Sequence, residues 1–160
     1  MRLVLALFII LIGTTAFALE KANLVVVSKS NKTLSLFKNS KLLASFPVVF
    51  GASPQGHKQQ EGDEHTPEGR YTLDYKKANS SFYRAIHISY PNQIDKENAK
   101  RRGVDPGGAI MVHGQKNGLG WAYFISKHFN WTNGCIALSN KNMDLVWESV
   151  DAGTPIEIKP

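Results

Sequence analysis

The chain of 160 residues contains one cysteine, Cys135. A single thiol cannot form an internal disulfide, so no cross-link of that kind stabilises the fold. No cysteine lies near the apolar N-terminal segment, which excludes a lipid anchor attached to a thiol there. A lone thiol is buried filler, an intermolecular link or a nucleophile, and its neighbours in the sequence decide among these.

The chain also lacks a basic run interleaved with aromatic residues, although Lys and Arg outnumber Asp and Glu by 19 to 13. This absence argues against binding to nucleic acid. The positive charge is compatible with attraction to an anionic cell wall or membrane, and equally with simple solubility. Because there is no internal repeat, linker or low-complexity tract, we expect residues 19–160 to form a single domain.

The N-terminal segment has the pattern of a secretory signal peptide. Arg2 supplies a positive charge, an apolar run extends from Leu3 to Ile12, and Ala16-Phe17-Ala18 has small residues at its two outer positions. We expect residues 1–18 to be cleaved after Ala18, which places the protein in the periplasm or otherwise outside the cytoplasm. The run is short for about 30 Å of hydrocarbon, so no stable membrane insertion is expected after cleavage.

Most of the remaining sequence has the pattern of short β-strands. Residues 23–27 are apolar and β-branched, and 33–37 and 70–75 alternate between apolar and polar side chains. The patterns amount to about eight short strands and three modest helices. Strands do not alternate with long helices, which argues against a doubly wound parallel sheet. The expected fold is therefore mainly β, a mixed sandwich or barrel-like sheet with a few short helices at its margin.

Three segments favour helices. Residues 92–102 are polar and lie between Asn92, a candidate N-cap, and Gly103, a candidate stop. Trp121, Phe124, Ile125 and His128 have the spacing of a short amphipathic helix, with His128 at its polar edge. Asn140 is a candidate cap for a third helix.

A long irregular segment runs from Gly51 to Gly69, and a loop of this length is usually functional or disordered. We expect it to border a substrate groove, with His57 and His65 as exposed loop residues. Just before it, Pro47 lies within a predicted strand and indicates an edge position or a bulge.

The residues around Cys135 indicate nucleophilic chemistry. A thiolate needs a neighbouring base, most often histidine, and His113 ends an apolar run upstream of the cysteine. We therefore expect these two side chains to meet in the fold. The carbonyl of Gly114 is placed to fix the tautomer of the histidine, and backbone N–H groups at Asn133 and Gly134 are placed to stabilise an oxyanion. The pattern suits acyl transfer through a thioester.

Two other interpretations stay open. Cys135 could be inert on a module that only binds the cell wall; alkylation separates these cases, since a thiol of low pKa reacts quickly near neutral pH. His87, His113 and Cys135 could bind a metal, but their spacing matches no standard zinc pattern, so no metal or cofactor is expected. The groove candidates are His87, Tyr90 and Arg84, with Arg70, Arg101 and Arg102 as further basic residues.

Several segments together resemble the catalytic core of the L,D-transpeptidase (YkuD-domain) family. The three core segments are Ile110–Gly114, Gly118–Trp121 and Trp131–Leu138. Upstream, Thr66-Pro67-Glu68-Gly69 resembles the Thr-Pro-x-Gly segment of that family. The stretches 87–92 and 103–108, with the Trp-Thr-x-Gly-Cys-Ile-Ala motif from Trp131, resemble a subgroup of small periplasmic members.

The resemblance implies the mostly β catalytic domain of that family and a peptidoglycan stem peptide as substrate. It makes Cys135 the nucleophile, His113 the general base and acid, and the Gly114 carbonyl its orienter. Backbone N–H groups at Gly134 and Cys135 would form the oxyanion hole. The attacked carbonyl would belong to an L-centre next to a D-centre, and no metal would be needed.

The sequence departs from the commonest family pattern at two places. Thr132-Asn133 stands where that pattern has Ser-His, and Ala137 stands where it has an arginine. The missing arginine leaves open how a substrate carboxylate is recognised. The subgroup includes hydrolases that release a lipoprotein from the wall, so both transfer to an amine and hydrolysis remain open, with a wall-linked lipoprotein as a candidate partner.

Overall fold

The computed structural model describes residues 20–160. The predicted signal peptide, residues 1–18, lies outside the described part of the chain. Within that part, no helix combines the length and apolar character needed to cross a membrane.

Eight strands form one continuous sheet, which confirms the prediction of a mainly β fold. In sheet order the strands are β3, β2, β1, β8, β4, β5, β6 and β7. The pairs β1–β8 and β6–β7 are parallel and the other neighbours are antiparallel. Their bounds are β1 Leu24–Ser28, β2 Thr33–Lys38, β3 Lys41–Pro47, β4 Gly69–Ser80, β5 Tyr83–Ile88, β6 Met111–His113, β7 Ile136–Ala137 and β8 Thr154–Lys159.

Pro47 ends β3, which is the outermost strand on one side of the sheet. Proline has no N–H to donate, so an edge position spares the sheet a missing hydrogen bond. The edge position predicted from this proline is confirmed.

Three short α-helices accompany the sheet: α1 Gln93–Arg102, α2 Tyr123–Ser126 and α3 Asn140–Ser149. The caps of α1 are as predicted. Asn92 Oδ1 accepts the N–H of Asp95 at 3.1 Å, Asp95 Oδ2 accepts the N–H of Asn92 at 2.9 Å, and Gly103 follows with φ of 67°.

The cap of α3 differs from the prediction by one residue. Ser139, not Asn140, accepts the N–H of Asn142, at 3.1 Å. Asn140 Oδ1 instead accepts the N–H of Gln115 at 2.8 Å. Serine and asparagine cap helices about equally well, so the sequence alone did not separate the two positions.

The helix expected at residues 121–128 is shorter in the structure. A 3-10 turn at Gly120–Ala122 leads into α2, and its apolar side chains face outward. Trp121 is 68% exposed and Phe124 is 60% exposed. The spacing predicted an amphipathic helix, but spacing reveals only a stripe of apolar residues and not what covers that stripe.

The core lies on one face of the sheet, where α3 packs against it. Ile86 and Ile88 of β5 and Val112 of β6 are buried there, together with Met143 and Val146 of α3. Side chains alternate along a strand, so the residues between them face the opposite side. On that side, Ala85 pairs with His113 and His87 pairs with Met111.

Two buried lysines hold the long loop between β3 and β4. Lys29 Nζ donates to the carbonyl of Gly56 at 2.6 Å and to Glu68 Oε1 at 2.7 Å. Lys58 Nζ donates to Asp63 Oδ1 at 2.8 Å and to the carbonyl of Gln60 at 2.9 Å. The loop is therefore fixed by internal ion pairs rather than disordered.

His57 is part of this framework, which corrects its assignment as an exposed loop residue. Its Nδ1 accepts the N–H of Glu68 at 3.0 Å, so the ring proton is on Nε2. Nε2 lies 3.1 Å from Asp95 Oδ1 and donates to it. The ring therefore links the loop to the start of α1.

Candidate active site

The parallel pairing of β6 and β7 places Cys135 and His113 along one open cavity. Val112 pairs with Ile136, so Cys135, one residue before β7, lies beside Met111. Cys135 Sγ accepts the N–H of Met111 at 3.4 Å. The side chains of Cys135 and His113 line the same open cavity, which has a volume of about 480 Å³.

The segment after β3 holds the strand that follows the cysteine. Val49 and Ala137 exchange two backbone hydrogen bonds, at 3.0 and 2.9 Å. The N–H of Thr132 donates to the carbonyl of Phe50 at 3.1 Å. Cys135 is therefore clamped between β6 on one side and residues 49–50 on the other, which fixes the direction of its thiol.

Thr132 closes the turn that carries the cysteine. Its hydroxyl donates to the carbonyl of Cys135 at 2.7 Å and accepts the N–H of Gly134 at 3.3 Å. Gly134 has φ of 112°, and a Cβ at this position would lie 2.6 Å from the carbonyl oxygen of His65. Only glycine satisfies both the backbone conformation and the close approach of the neighbouring loop.

The imidazole of His113 is held by its own neighbour in the chain, as predicted. Nδ1 lies 2.6 Å from the carbonyl oxygen of Gly114. A carbonyl only accepts, so Nδ1 carries the ring proton and Nε2 is the basic nitrogen. The ring also packs between Phe82, with centroids 4.8 Å apart, and Trp131, at 5.9 Å. Sequence analysis did not identify these two aromatic residues as positioning the base.

Burial shifts both groups toward their neutral forms. It raises the pKa of the Cys135 thiol, against smaller lowering effects from the Met111 N–H and the Lys58 charge. Burial also lowers the pKa of His113, which the hydrogen bond to Gly114 partly offsets. The resting pair is thus a thiol and a neutral imidazole.

Two of the predicted groove residues lie elsewhere. Tyr90 is buried, and its hydroxyl donates to the carbonyl of Pro106 at 3.0 Å. Arg84 pairs with Asp144 at 3.2 Å and Glu148 at 3.3 Å, on the side of the sheet that carries α3. Neither lines the cavity around the cysteine. Arg70, Arg101 and Arg102 are also absent from its lining.

His87 shares a sheet face with His113 but is engaged beside the cavity. Its Nδ1 lies 2.7 Å from Asp74 Oδ1, and its ring stacks on Tyr75 with centroids 4.6 Å apart. It is therefore not gathered with His113 and Cys135 as a metal site would require. Within residues 20–160, no group of three or more His, Cys, Asp or Glu side chains is arranged to hold a metal ion.

The charges that line the cavity differ on the two sides of Asn133. Around Cys135, among the described residues, the charged side chains are Lys77 and Lys116. A second cavity of about 310 Å³ adjoins Asn133 and is lined by Lys58, Glu61 and Glu64. The cleft thus has a cationic part and a part in which carboxylates outnumber ammonium groups.

Comparison with known proteins points in the same direction as this geometry. Residues 22–158 match the model of a family described as the L,D-transpeptidase catalytic domain. A putative L,D-transpeptidase of Escherichia coli, YafK, is 26% identical over 132 residues, which make up 79% of this chain and 46% of that protein. The chain therefore spans about half the length of this curated relative.

Solved structures give a similar result. The helical cell shape determining protein Pgp2 from Campylobacter jejuni is 26% identical and aligns with a TM-score of 0.65, covering 92% of this chain and 53% of that one. An L,D-transpeptidase from Mycobacterium smegmatis is 17% identical, with a TM-score of 0.57 over 86% of this chain and 58% of that one. At 17% identity, the similarity to the Mycobacterium smegmatis protein shows a shared fold alone.

Proposed function

The chain belongs to the L,D-transpeptidase catalytic domain family, and from that premise we propose that it catalyses cysteine-dependent acyl transfer on the peptide stems of peptidoglycan. The observation that carries the proposal is one cavity lined by both Cys135 and His113, with the imidazole oriented by the Gly114 carbonyl. YafK and Pgp2 are about twice as long as this chain, so only the side chains of this chain support the proposal.

In the first half of the reaction, His113 Nε2 takes the thiol proton as Sγ of Cys135 attacks the carbonyl carbon of the stem peptide. A bond forms between sulfur and carbon, and the carbonyl oxygen becomes an oxyanion. The carbon–nitrogen bond then breaks, and the imidazolium returns its proton to the leaving amine. The products are a thioester on Cys135 and a free amine.

In the second half, an acceptor attacks the thioester. His113 takes a proton from the acceptor, the carbon–sulfur bond breaks, and the thiolate of Cys135 recovers the proton. The neutral resting states of both groups support this cycle, because a neutral imidazole is able to accept a proton at each step.

The oxyanion is proposed to be stabilised by backbone N–H groups of the turn from Asn133 to Cys135. Within this turn the N–H of Gly134 already donates to the Thr132 hydroxyl at 3.3 Å. That bond is long, and it is available for exchange with a stronger acceptor. We assign the principal role to the N–H groups of Asn133 and Cys135, with Gly134 as an auxiliary donor.

The substrate carboxylate is proposed to be recognised by Lys77 and Lys116. Ala137 stands where the common family pattern has an arginine. It is fully buried, and its backbone exchanges two hydrogen bonds with Val49. Alanine carries no charge, so this position supplies no cation to the cavity. The two lysines supply positive charge at the cavity wall instead, which favours an anionic donor peptide.

The second cavity favours an amine as the acceptor. Glu61 and Glu64 line it on the far side of Asn133, and the charge of Lys58 is already paired with Asp63. Carboxylates in this position attract a cationic amino acid side chain and hold it near the thioester. We therefore propose transfer to an amine as the main reaction and hydrolysis, including release of a wall-linked lipoprotein, as the alternative.

Export is part of the same proposal, because peptidoglycan lies outside the cytoplasm. The predicted signal peptide supports this location. Mass spectrometry of wall fragments incubated with the protein tests the function. Cross-linked products support transfer, and trimmed stems or released lipoprotein peptides support hydrolysis. Fragments that bind to the unmodified protein without a change in mass, the result expected for the Cys135→Ala variant, would indicate a binding module.

A further inference from the structure

Five large apolar side chains are exposed together next to the catalytic cleft. Among the described residues they account for most of the large apolar side chains that face solvent, and they fall between residues 119 and 129. Contiguous exposed apolar surface usually marks an interaction site, whereas scattered single residues do not. We name this surface the apolar ridge; it consists of Leu119, Trp121, Phe124, Ile125 and Phe129.

The ridge is held outward by polar contacts on its inner side. Gln115, which is buried, donates from Nε2 to the carbonyl of Leu138 at 2.7 Å. Its Oε1 accepts the hydroxyl of Ser126, within α2, at 2.8 Å. The N–H of Asn117 donates to the carbonyl of Ser81 at 3.0 Å. These bonds fix the segment to the sheet and leave its apolar side chains directed away from the protein.

The ridge lies in a part of the chain without negative side chains. No Asp or Glu occurs between Asp105 and Asp144, while Lys116, Lys127 and Lys141 lie between them. The chain as a whole has a formal net charge of +6. The exposed apolar side chains are therefore accompanied by positive charge, a combination that matches the boundary between headgroups and acyl chains in an anionic bilayer.

We propose that the apolar ridge docks on the surface of an anionic phospholipid bilayer. Tryptophan and phenylalanine side chains insert at the headgroup level, and Lys127 and Lys141 attract the phosphate groups. A second copy of the chain is a poorer occupant, because a two-fold interface would place two cationic surfaces against each other. The glycan of the wall offers no apolar phase for these side chains to enter.

Docking would place the mouth of the cleft at the lipid surface, because Lys116 and Trp131, just outside the ridge, line the cavity around Cys135. This consequence rests on the proposed function, whereas the docking itself does not.

Co-sedimentation with vesicles tests the proposal, using the exported protein without its expected leader. One set contains phosphatidylglycerol and phosphatidylcholine, and the other contains phosphatidylcholine alone. The protein should bind the anionic vesicles, and high salt should weaken binding. Trp121→Ser combined with Phe124→Ser should raise the dissociation constant about tenfold or more.

The matched control combines Ile94→Ser with Leu42→Ser, which removes two exposed apolar side chains from other surfaces. It should bind like the unmodified protein, and so should Cys135→Ala, which separates docking from the proposed chemistry. Absence of binding to anionic vesicles, or equal binding by the ridge variant, would overturn the proposal. So would ridge-dependent dimerisation, or ridge-dependent binding to insoluble peptidoglycan without binding to vesicles.

Discussion

The sulfur of Cys135 lies 3.4 Å from the backbone nitrogen of Met111, two residues before His113 on the same strand. This contact ties the proposed nucleophile to the strand that carries the proposed base. The parallel pairing of β6 and β7 therefore sets the geometry of both groups at once. A substitution that disturbs either strand should therefore reduce activity more than it reduces the stability of the rest of the fold.

The pH dependence of activity should show a neutral base. Burial lowers the pKa of His113, and His113 must be unprotonated to accept the thiol proton. We expect kcat/KM to fall on the acid side with an apparent pKa below about 6.5, the ordinary value for histidine. Kinetics across a pH series measures this limb. An acid limb centred clearly above that value would argue against His113 as a buried neutral base.

Gly134→Ala should destabilise the protein more than Gly118→Ala. Both glycines have positive φ, at 112° and 79°, so both variants lose about 1 kcal/mol to backbone strain. A Cβ at Gly134 would also lie 2.6 Å from the carbonyl oxygen of His65, whereas nothing lies within 4 Å of one at Gly118. Overpacking adds about 1–3 kcal/mol, measurable by urea unfolding. Equal losses in the two variants would contradict this account of the turn.

Much of the fold was predictable because the strands alternate regularly and the caps of α1 are local signals. Tyr90 illustrates this. The alternation that places Ile86 and Ile88 in the core also places Tyr90 there, and the structure agrees with the alternation rather than with the groove assignment.

Other features depend on contacts distant in sequence. His57 is held by Glu68 and Asp95, and no local pattern in the loop indicates either partner. Phe82 contacts His113 only because β5 and β6 pair in a particular register. The proposed base and nucleophile, by contrast, could be singled out because their residue types and flanking glycines restrict the chemistry.

Reversal of the charges at Lys77 and Lys116 should impair recognition of the donor. Both lysines are exposed, so replacement with glutamate should leave the unfolding transition unchanged. We expect the double variant to lose about tenfold in kcat/KM for a donor with a free carboxylate, and much less for its amide. Lys41→Glu, on β3 at the edge of the sheet, is the matched control. An equal loss with both donors would show that these lysines do not read the carboxylate.

Asp63→Asn should loosen the long loop beside the cleft. Burial opposes ionisation, but hydrogen bonds from Lys58 and from three backbone N–H groups lower the pKa of Asp63 to about 2. The resulting stabilisation, about 2 kcal/mol, is present above the unfolded pKa of about 3.9 and is lost as the pH falls through about 2.

Urea unfolding at pH 7 should therefore show a deficit of this size for Asp63→Asn, and the deficit should shrink in acid. Glu61→Gln, an exposed carboxylate in the same loop, should show no deficit. A deficit for Asp63→Asn that stays constant from neutral to strongly acidic pH would mean that the lowered pKa is not its cause.

The thioester on Cys135 is the most direct test of the proposed chemistry. Intact-protein mass spectrometry, after acid quenching of a reaction with a purified stem peptide, should reveal an adduct of the donor less its leaving amine. Peptide mapping should place that adduct on Cys135, and the adduct should be absent from Cys135→Ala and greatly reduced in His113→Gln. An adduct on another residue, or continued turnover by Cys135→Ala, would contradict the account.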